Sequence, residues 1–186
     1  MIKYSTLKPR ILLHSCCATC TAHPIELLKE RYGISLFYYN PNIFPKEEYN
    51  RRLADIIMLA DTAGTKLIKG EYNTSGWNNA TMHFPDEPEG GRRCSICFNF
   101  RLKKTAETAK EAGFDVFGTT LSISPHKNYK IINEAGEHYS LKTGIDFLKI
   151  DFKKKDGFKK AMDLSKKHSF YRQNYCGCEY SVRSNK

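Results

Sequence analysis

The stretch 11-ILLHSCCATC-20 decides the fold. Ile11 to Leu13 form a short unbroken apolar run, the pattern of a strand buried on both faces. The turn after it carries three cysteines where a nucleotide-binding sheet would carry a glycine-rich phosphate cradle. Working outward, the spacing predicts a helix from about Pro24 to Arg31, then a strand over Ser35 to Tyr39 ended by the turn 40-NPN-42. Leu53, Ile56, Ile57 and Ala60 recur at helical spacing within Glu47 to Ala63, and Thr65 to Ile68 reads as a third strand. Glu71 to Gly91 has little periodicity and reads as irregular, with one helical turn around Trp77. A helix over Arg92 to Ala112, closed by Gly113, precedes a strand at Phe114 to Phe117. A helix over Asn128 to Tyr139, a strand over Ile145 to Ile150 and a helix over Gly157 to His168 complete the alternation. Strand and helix alternating throughout imply an α/β chain with a mostly parallel, Rossmann-like (HUP-type) sheet and helices on both faces. The functional crevice of such a sheet lies beyond the carboxyl ends of its strands, where 14-HSCC-17, 119-TT-120 and Asp151 fall.

At 186 residues and 40% hydrophobic content the chain suits one core, and residues 1–186 are expected to form a single domain. No apolar run approaches a membrane span, and MIKYSTLKPR lacks the apolar centre of a secretory leader, so a cytoplasmic protein without a membrane partner is expected. The net charge of +10, concentrated in 153-KKK-155, 159-KK-160 and 166-KK-167, favours an anionic partner, though a merely solubilising surface is an equal reading of charge alone.

The seven cysteines are clustered as Cys16, Cys17 and Cys20, then Cys94 and Cys97, then Cys176 and Cys178. In a chain without a secretory leader such clustering points to metal or redox chemistry rather than a disulfide scaffold. Cys94 and Cys97 form a CxxC at a helix start, where the helix dipole is expected to lower the thiol pKa. Alone it fits structural zinc, a dithiol pair or half a cluster site. Three more thiols within five residues exceed what an all-cysteine zinc site uses, and adjacent cysteines suit the corners of a cubane better than a zinc knuckle. Cys176-Gly-Cys178 could close only a very small, readily exchanged disulfide ring, so a redox-active pair is the leading reading and extra metal ligands the second.

Six segments in order, 12-LLHSCCATC-20, 39-YNPNIFPKEEYNRR-52, 92-RRCSICFNFRL-102, 118-GTTLSISPHKN-128, 150-IDFKKKDG-157 and 171-YRQNYCGCEYS-181, resemble the QueH family of epoxyqueuosine reductases along nearly the whole chain. The resemblance implies two-electron deoxygenation of epoxyqueuosine in the tRNA anticodon to queuosine. It implies a 4Fe-4S cluster held by Cys16, Cys17, Cys94 and Cys97 and a redox-active Cys176 and Cys178. It also implies a neighbouring mononuclear iron, with Cys20, His14 and Asp151 as candidate ligands, and tRNA as partner; the electron donor is not implied. One departure is visible: Cys17-Ala18-Thr19-Cys20 lacks the family's usual proline before the third cysteine, which is expected to loosen the turn without removing a sulfur.

Arg92, Arg93, Arg101, Lys127, Lys130 and 153-KKK-155 are candidate phosphate contacts, and Tyr38, Tyr39, Tyr171 or Tyr175 candidate base-stacking rings. His23, His83, His126, His138 and His168 have no metal-ligand spacing. The rival readings are a nucleotide-binding tRNA-modifying enzyme, which would need a phosphate-loop motif this chain lacks, and a zinc-binding nucleic-acid module without redox activity.

Overall fold

The computed structural model describes residues 8–182; residues 1–7 of the segment read for a leader, and the last residues of the expected domain, lie outside it. Five strands, β1 (Arg10–His14), β2 (Gly33–Tyr38), β3 (Lys66–Lys69), β4 (Val116–Thr119) and β5 (Asp146–Phe147), form one sheet in the order β3-β2-β1-β4-β5. Every pairing is parallel, with Leu13 beside Leu36 on one side and Gly118 on the other. The sheet is built outward from its centre: Ile11, Leu12 and Leu13 are fully buried, which is why β1 reads as a continuous apolar run instead of an alternating one. The chain winds from β1 to β3 in one direction, then crosses back to place β4 on the other side of β1. That reversal is a topological switch point, and it opens a crevice beyond the carboxyl ends of β1 and β4.

Six helices, α1 (Ala18–Leu28), α2 (Lys46–Ala63), α3 (Ser75–Thr81), α4 (Arg92–Glu111), α5 (Tyr129–Thr143) and α6 (Gly157–Lys167), cover the sheet. Helix α1 packs against α2 and α6, and α4 against α5. The α/β reading with a parallel Rossmann-like sheet is therefore met. Among the described residues no helix is long and apolar enough to cross a membrane.

The boundaries differ in informative ways. Helix α1 begins at Ala18, six residues before the expected start, and holds Pro24 in its interior. Nine of its eleven residues are buried, so it carries no solvent face and no amphipathic signal. Strand β5 keeps only two residues: Leu148 N still donates to Phe117 O at 2.9 Å, but Ile150 N turns back to Leu148 O at 3.2 Å. Strand β4 starts two residues later than expected, and α3 supplies a full helix where one turn was read. Gly113 closes α4 as expected, at φ +68°, a backbone region side chains with a Cβ avoid.

Candidate metal centre

The first sulfur group grows from the end of β1. Ser15 N continues the ladder to Phe37 O at 2.9 Å, and Asn40 Nδ2 donates to Ser15 O at 2.9 Å, so the chain leaves the sheet under control. Cys17 is the N-cap of α1 and Cys20 lies in its first turn, which folds C-C-x-x-C onto one side of the helix start. The three sulfurs of Cys16, Cys17 and Cys20 lie within 4.8 Å of one another, with Cys16 and Cys17 4.0 Å apart. Gln173 Nε2 donates to Cys17 Sγ at 3.1 Å. The Cys17 and Cys20 thiols, hydrogen-bonded to Cys16, hold its pKa well below the usual thiol range. Cys17 is pushed up to about 12 by its bond to Cys16, and Cys20 is raised by both neighbours. The group thus gives up a first proton more readily than a second, and a bound cation would favour losing more.

Thr19 sits inside α1, and its hydroxyl meets that of Ser165 on α6 at 2.7 Å. That hydroxyl contact ties the start of α1 to α6.

The second group joins the middle of the chain to its C-terminal segment. Cys94 and Cys97 on α4, with Cys176 and Cys178 from the C-terminal segment, line a small cavity of about 20 Å³ together with Trp77, Arg93 and Arg101. Gly90 N donates to Cys94 Sγ at 3.2 Å. Burial raises the Cys94 thiol and pushes Cys97 up to about 11, so here desolvation outweighs the lowering expected from the helix dipole. Cys176 and Cys178 are free thiols, and Gly177 between them adopts φ +125°. Arg52 fastens this segment: Nη1 donates to Cys176 O at 3.0 Å and Nη2 to Tyr175 O at 3.3 Å. Its Nε pairs with Glu48 at 2.7 Å, and the other Glu48 oxygen accepts from Tyr171 Oη at 3.0 Å. Phe44 N donates to Gly177 O at 2.8 Å and closes the fastening.

A larger open cavity of about 470 Å³ adjoins both groups, with Cys16, Cys20, Cys176, Arg101, Lys127 and Arg172 among its lining residues. Gln173, Asn174 and Tyr175 form part of its wall. Arg101 lines both cavities. Lys127 is half-buried, and the opposing charges of Cys176, Cys16 and Cys20 raise its pKa against the burial that lowers it.

Of the sequence-predicted residues, all seven cysteines reach this end of the sheet. Cys16 and Cys17 are grouped with Cys20, whereas Cys94 and Cys97 are grouped with Cys176 and Cys178. His14 is not free to ligate: its Nδ1 is bonded with Thr119 Oγ1 at 3.0 Å and its Nε2 with Tyr39 O at 3.1 Å, and burial, aided by Arg101, lowers its pKa to about 4. Asp151 lines neither cavity and lies 3.6 Å from the Lys153 ammonium. Arg93 and Arg101 are buried, which removes them from phosphate contact, and Tyr38 is a core residue whose hydroxyl donates to Tyr49 O at 3.0 Å. Arg92, Lys130, Lys154 and Lys155 are exposed. The sequence reading missed Arg52, Gln173 and Trp77, none of which carries a spacing signal; only the fold brings position 173 to position 17.

A thiol-rich crevice at the switch point of a parallel sheet, with cations but few carboxylates around it, defines a metal- or redox-dependent α/β protein. The model of the family described as "Epoxyqueuosine reductase QueH" matches residues 11–184. The chain is 37% identical over 184 residues to the epoxyqueuosine reductase QueH of Streptococcus pyogenes serotype M1, covering 96% of this chain and 72% of that protein. It is 38% identical to the QueH of Acinetobacter baylyi, covering 94% of this chain and 81% of that one. The chain belongs to the epoxyqueuosine reductase QueH family, and the oxidoreductase reading comes with that membership. Among solved structures it resembles the U34-tRNA thiolase NcsA from Methanococcus maripaludis with its 4Fe-4S cluster, at a TM-score of 0.57 and 12% identity, covering 96% of this chain and 62% of that one. At that identity the likeness bears on the fold.

Proposed function

We propose that the protein, as one catalytic domain in the cytoplasm, reduces epoxyqueuosine in a tRNA anticodon to queuosine at the larger cavity, using iron held by its cysteines. The observation that carries the reading is the meeting of two thiol groups at that cavity, within a family of epoxyqueuosine reductases. The donor set suits thiolate-bound iron: every candidate ligand is sulfur, and N–H groups of Gly90 and Gln173 are already aimed at Cys94 and Cys17.

Geometry favours a division of labour between the groups. Thiolates on one metal ion at about 2.3 Å stand roughly 3.8 Å apart in a tetrahedral site, which the Cys16, Cys17 and Cys20 sulfurs approach. No three sulfurs of the other group lie as close together among the described residues, and they surround a cavity. We therefore assign Cys94, Cys97, Cys176 and Cys178 to the 4Fe-4S cluster and Cys16, Cys17 and Cys20 to the adjacent mononuclear iron. The sequence-derived alternative places Cys16 and Cys17 with the CxxC and keeps Cys176 and Cys178 as a dithiol relay.

The reaction consumes two electrons and two protons: the epoxide becomes an alkene and its oxygen leaves as water. When bound, the cluster supplies electrons singly, and an iron with an open position acts as a Lewis acid toward oxygen. The chain's own part is to hold the modified base against the cavity wall of Gln173, Asn174 and Tyr175, and to set the Lys127 ammonium where negative charge grows as the carbon–oxygen bond breaks. Exposed Lys159, Lys160, Lys166 and Lys167 on α6 meet phosphates, since α6 turns Ala161 and Ser165 inward and contributes Phe158 and Met162 to the cavity rim.

The test is anaerobic reconstitution followed by nucleoside mass spectrometry of treated tRNA, on the wild type and on Cys178→Ser and Cys20→Ser. The division predicts that Cys178→Ser loses the visible cluster absorbance, while Cys20→Ser keeps it and loses only the extra iron and turnover. A Cys178→Ser protein with full iron and sulfide would return the relay reading. Wild-type protein that binds no iron, or leaves epoxyqueuosine unchanged with a strong reductant, would end the proposal.

A further inference from the structure

Three arginines are buried among the described residues, and one of them, Arg101, lacks an evident reason to be charged there. Arg52 is paired with Glu48; Arg93 also lacks a carboxylate and has its Nε unpartnered among the described residues, but its Nη1 donates to the carbonyls of Phe84 and Pro85 at 2.6 and 3.0 Å and its guanidinium lies 4.3 Å over the Tyr180 ring. Arg101, 2% exposed and one helical turn beyond Cys97, donates Nε to Cys97 O at 3.2 Å and has its Nη2 without a partner among the described residues. No carboxylate forms an ion pair with it among the described residues. The ionisable groups facing it are thiols, Cys97 and Cys176 first, then Cys16 and Cys94, and burial keeps Cys97 and Cys94 protonated. Its side chain lines both the smaller and the larger cavity. A buried cation without an anion costs several kcal/mol, so the position makes sense only when negative charge fills the space beside it.

We propose that Arg101 is the fixed counter-ion of the metal centre, a positive charge shared by the two sulfur groups that favours the reduced state of the cluster. This rests on the iron–sulfur reading above. Thiolate-bound iron–sulfur clusters are anionic, and each electron accepted adds negative charge. A desolvated guanidinium alongside therefore stabilises the reduced form more than the oxidised one, and raises the reduction potential. Arg101 acts through the centre rather than on substrate, so it is a positioning and tuning residue.

Potentiometric titration of the reconstituted holoenzyme, followed by visible absorbance with iron and sulfide assayed in parallel, tests this on Arg101→Met, Arg101→Gln and Arg101→Lys. The neutral variants are expected to shift the one-electron equilibrium at least tenfold toward the oxidised form, a fall of about 59 mV, while Arg101→Lys stays nearer the wild type. A role confined to the Cys97 carbonyl and packing would lower thermal stability and leave the potential in place, and that result overturns the proposal. If the neutral variants lose the cluster altogether, Arg101→Lys decides: recovery of iron and potential supports the counter-ion, and loss equal to that of Arg101→Met overturns it. Absence of iron and sulfide from the wild type would instead sink the cluster reading on which this one stands.

Discussion

Breaking the Glu48–Arg52 pair should both destabilise the protein and release its C-terminal sulfurs. The side chains are 7% and 1% exposed and meet at 2.7 Å one turn apart on α2. Arg52→Met removes that bond together with the two that hold the carbonyls of Cys176 and Tyr175, and leaves Glu48 buried with only the Tyr171 hydroxyl for company. Stranding one member of a buried ion pair costs about 3–5 kcal/mol. At roughly 2–4 °C per kcal/mol for a chain of this size, the melting temperature should fall on the order of 10 °C. Glu48→Met should cost a similar amount, because it strands the guanidinium instead. The double variant Glu48→Met with Arg52→Met strands neither, so its loss should be smaller than the sum of the single losses. Urea unfolding of the reduced, anaerobic proteins gives the three free energies, and the rate of alkylation at Cys176 and Cys178 reports the release of the segment. Strict additivity of the two single losses would refute the pairing. Unchanged alkylation in Arg52→Met would refute the fastening even if stability fell.

Thr19→Val, which keeps shape and removes the hydroxyl facing Ser165, should cost about 1 kcal/mol in urea unfolding, and no loss would mean the α1–α6 tie is idle. Gly136→Ala drives a methyl into the Phe147 ring, so the ring or α5 must shift; a loss of about 1–3 kcal/mol is expected, and an unchanged unfolding midpoint would contradict that close approach. Substituting Lys166 and Lys167 with glutamine should weaken tRNA binding more at low salt than at high salt and flatten the dependence of log Kd on log salt. A parallel shift at all salt concentrations would place the phosphates elsewhere.

The sheet was legible because its central strand is so uniformly apolar: Ile11, Leu12 and Leu13 leave no other reading, and the turns at 40-NPN-42 and Gly113 punctuate the rest of the chain. The misplaced start of α1 has the opposite cause. A helix walled by the sheet, α2 and α6 displays no polar face, and Pro24 resembles a first-turn proline when it is in fact interior. The length of β5 was overread because Ile145 to Ile150 is apolar in pattern, while its last residues serve packing after the ladder has ended. At the site the sulfur positions were legible and their partition was not, since spacing along the chain says which thiols are near each other locally and nothing about which distant pair they will face. The CxxC could have met Cys16 and Cys17 or Cys176 and Cys178; the fold put it beside the second pair.

The partition has its origin in where each sulfur segment is anchored. Cys16 and Cys17 leave the sheet directly from β1, so their positions are set by the ladder to β2 and β4 and by the start of α1. Cys176 and Cys178 belong to no strand or long helix, and their place depends on Arg52, Glu48 and Phe44 reaching across from α2 and the loop before it. One group is therefore as rigid as the core, and the other is held by a buried charge pair that can be undone by one substitution. Arg101 is the residue of α4 that lines both cavities, and on the proposal above its charge acts on both sulfur groups. Altering either sulfur group should therefore be felt by the other, through Arg101 and through Cys176, which lines both cavities as well.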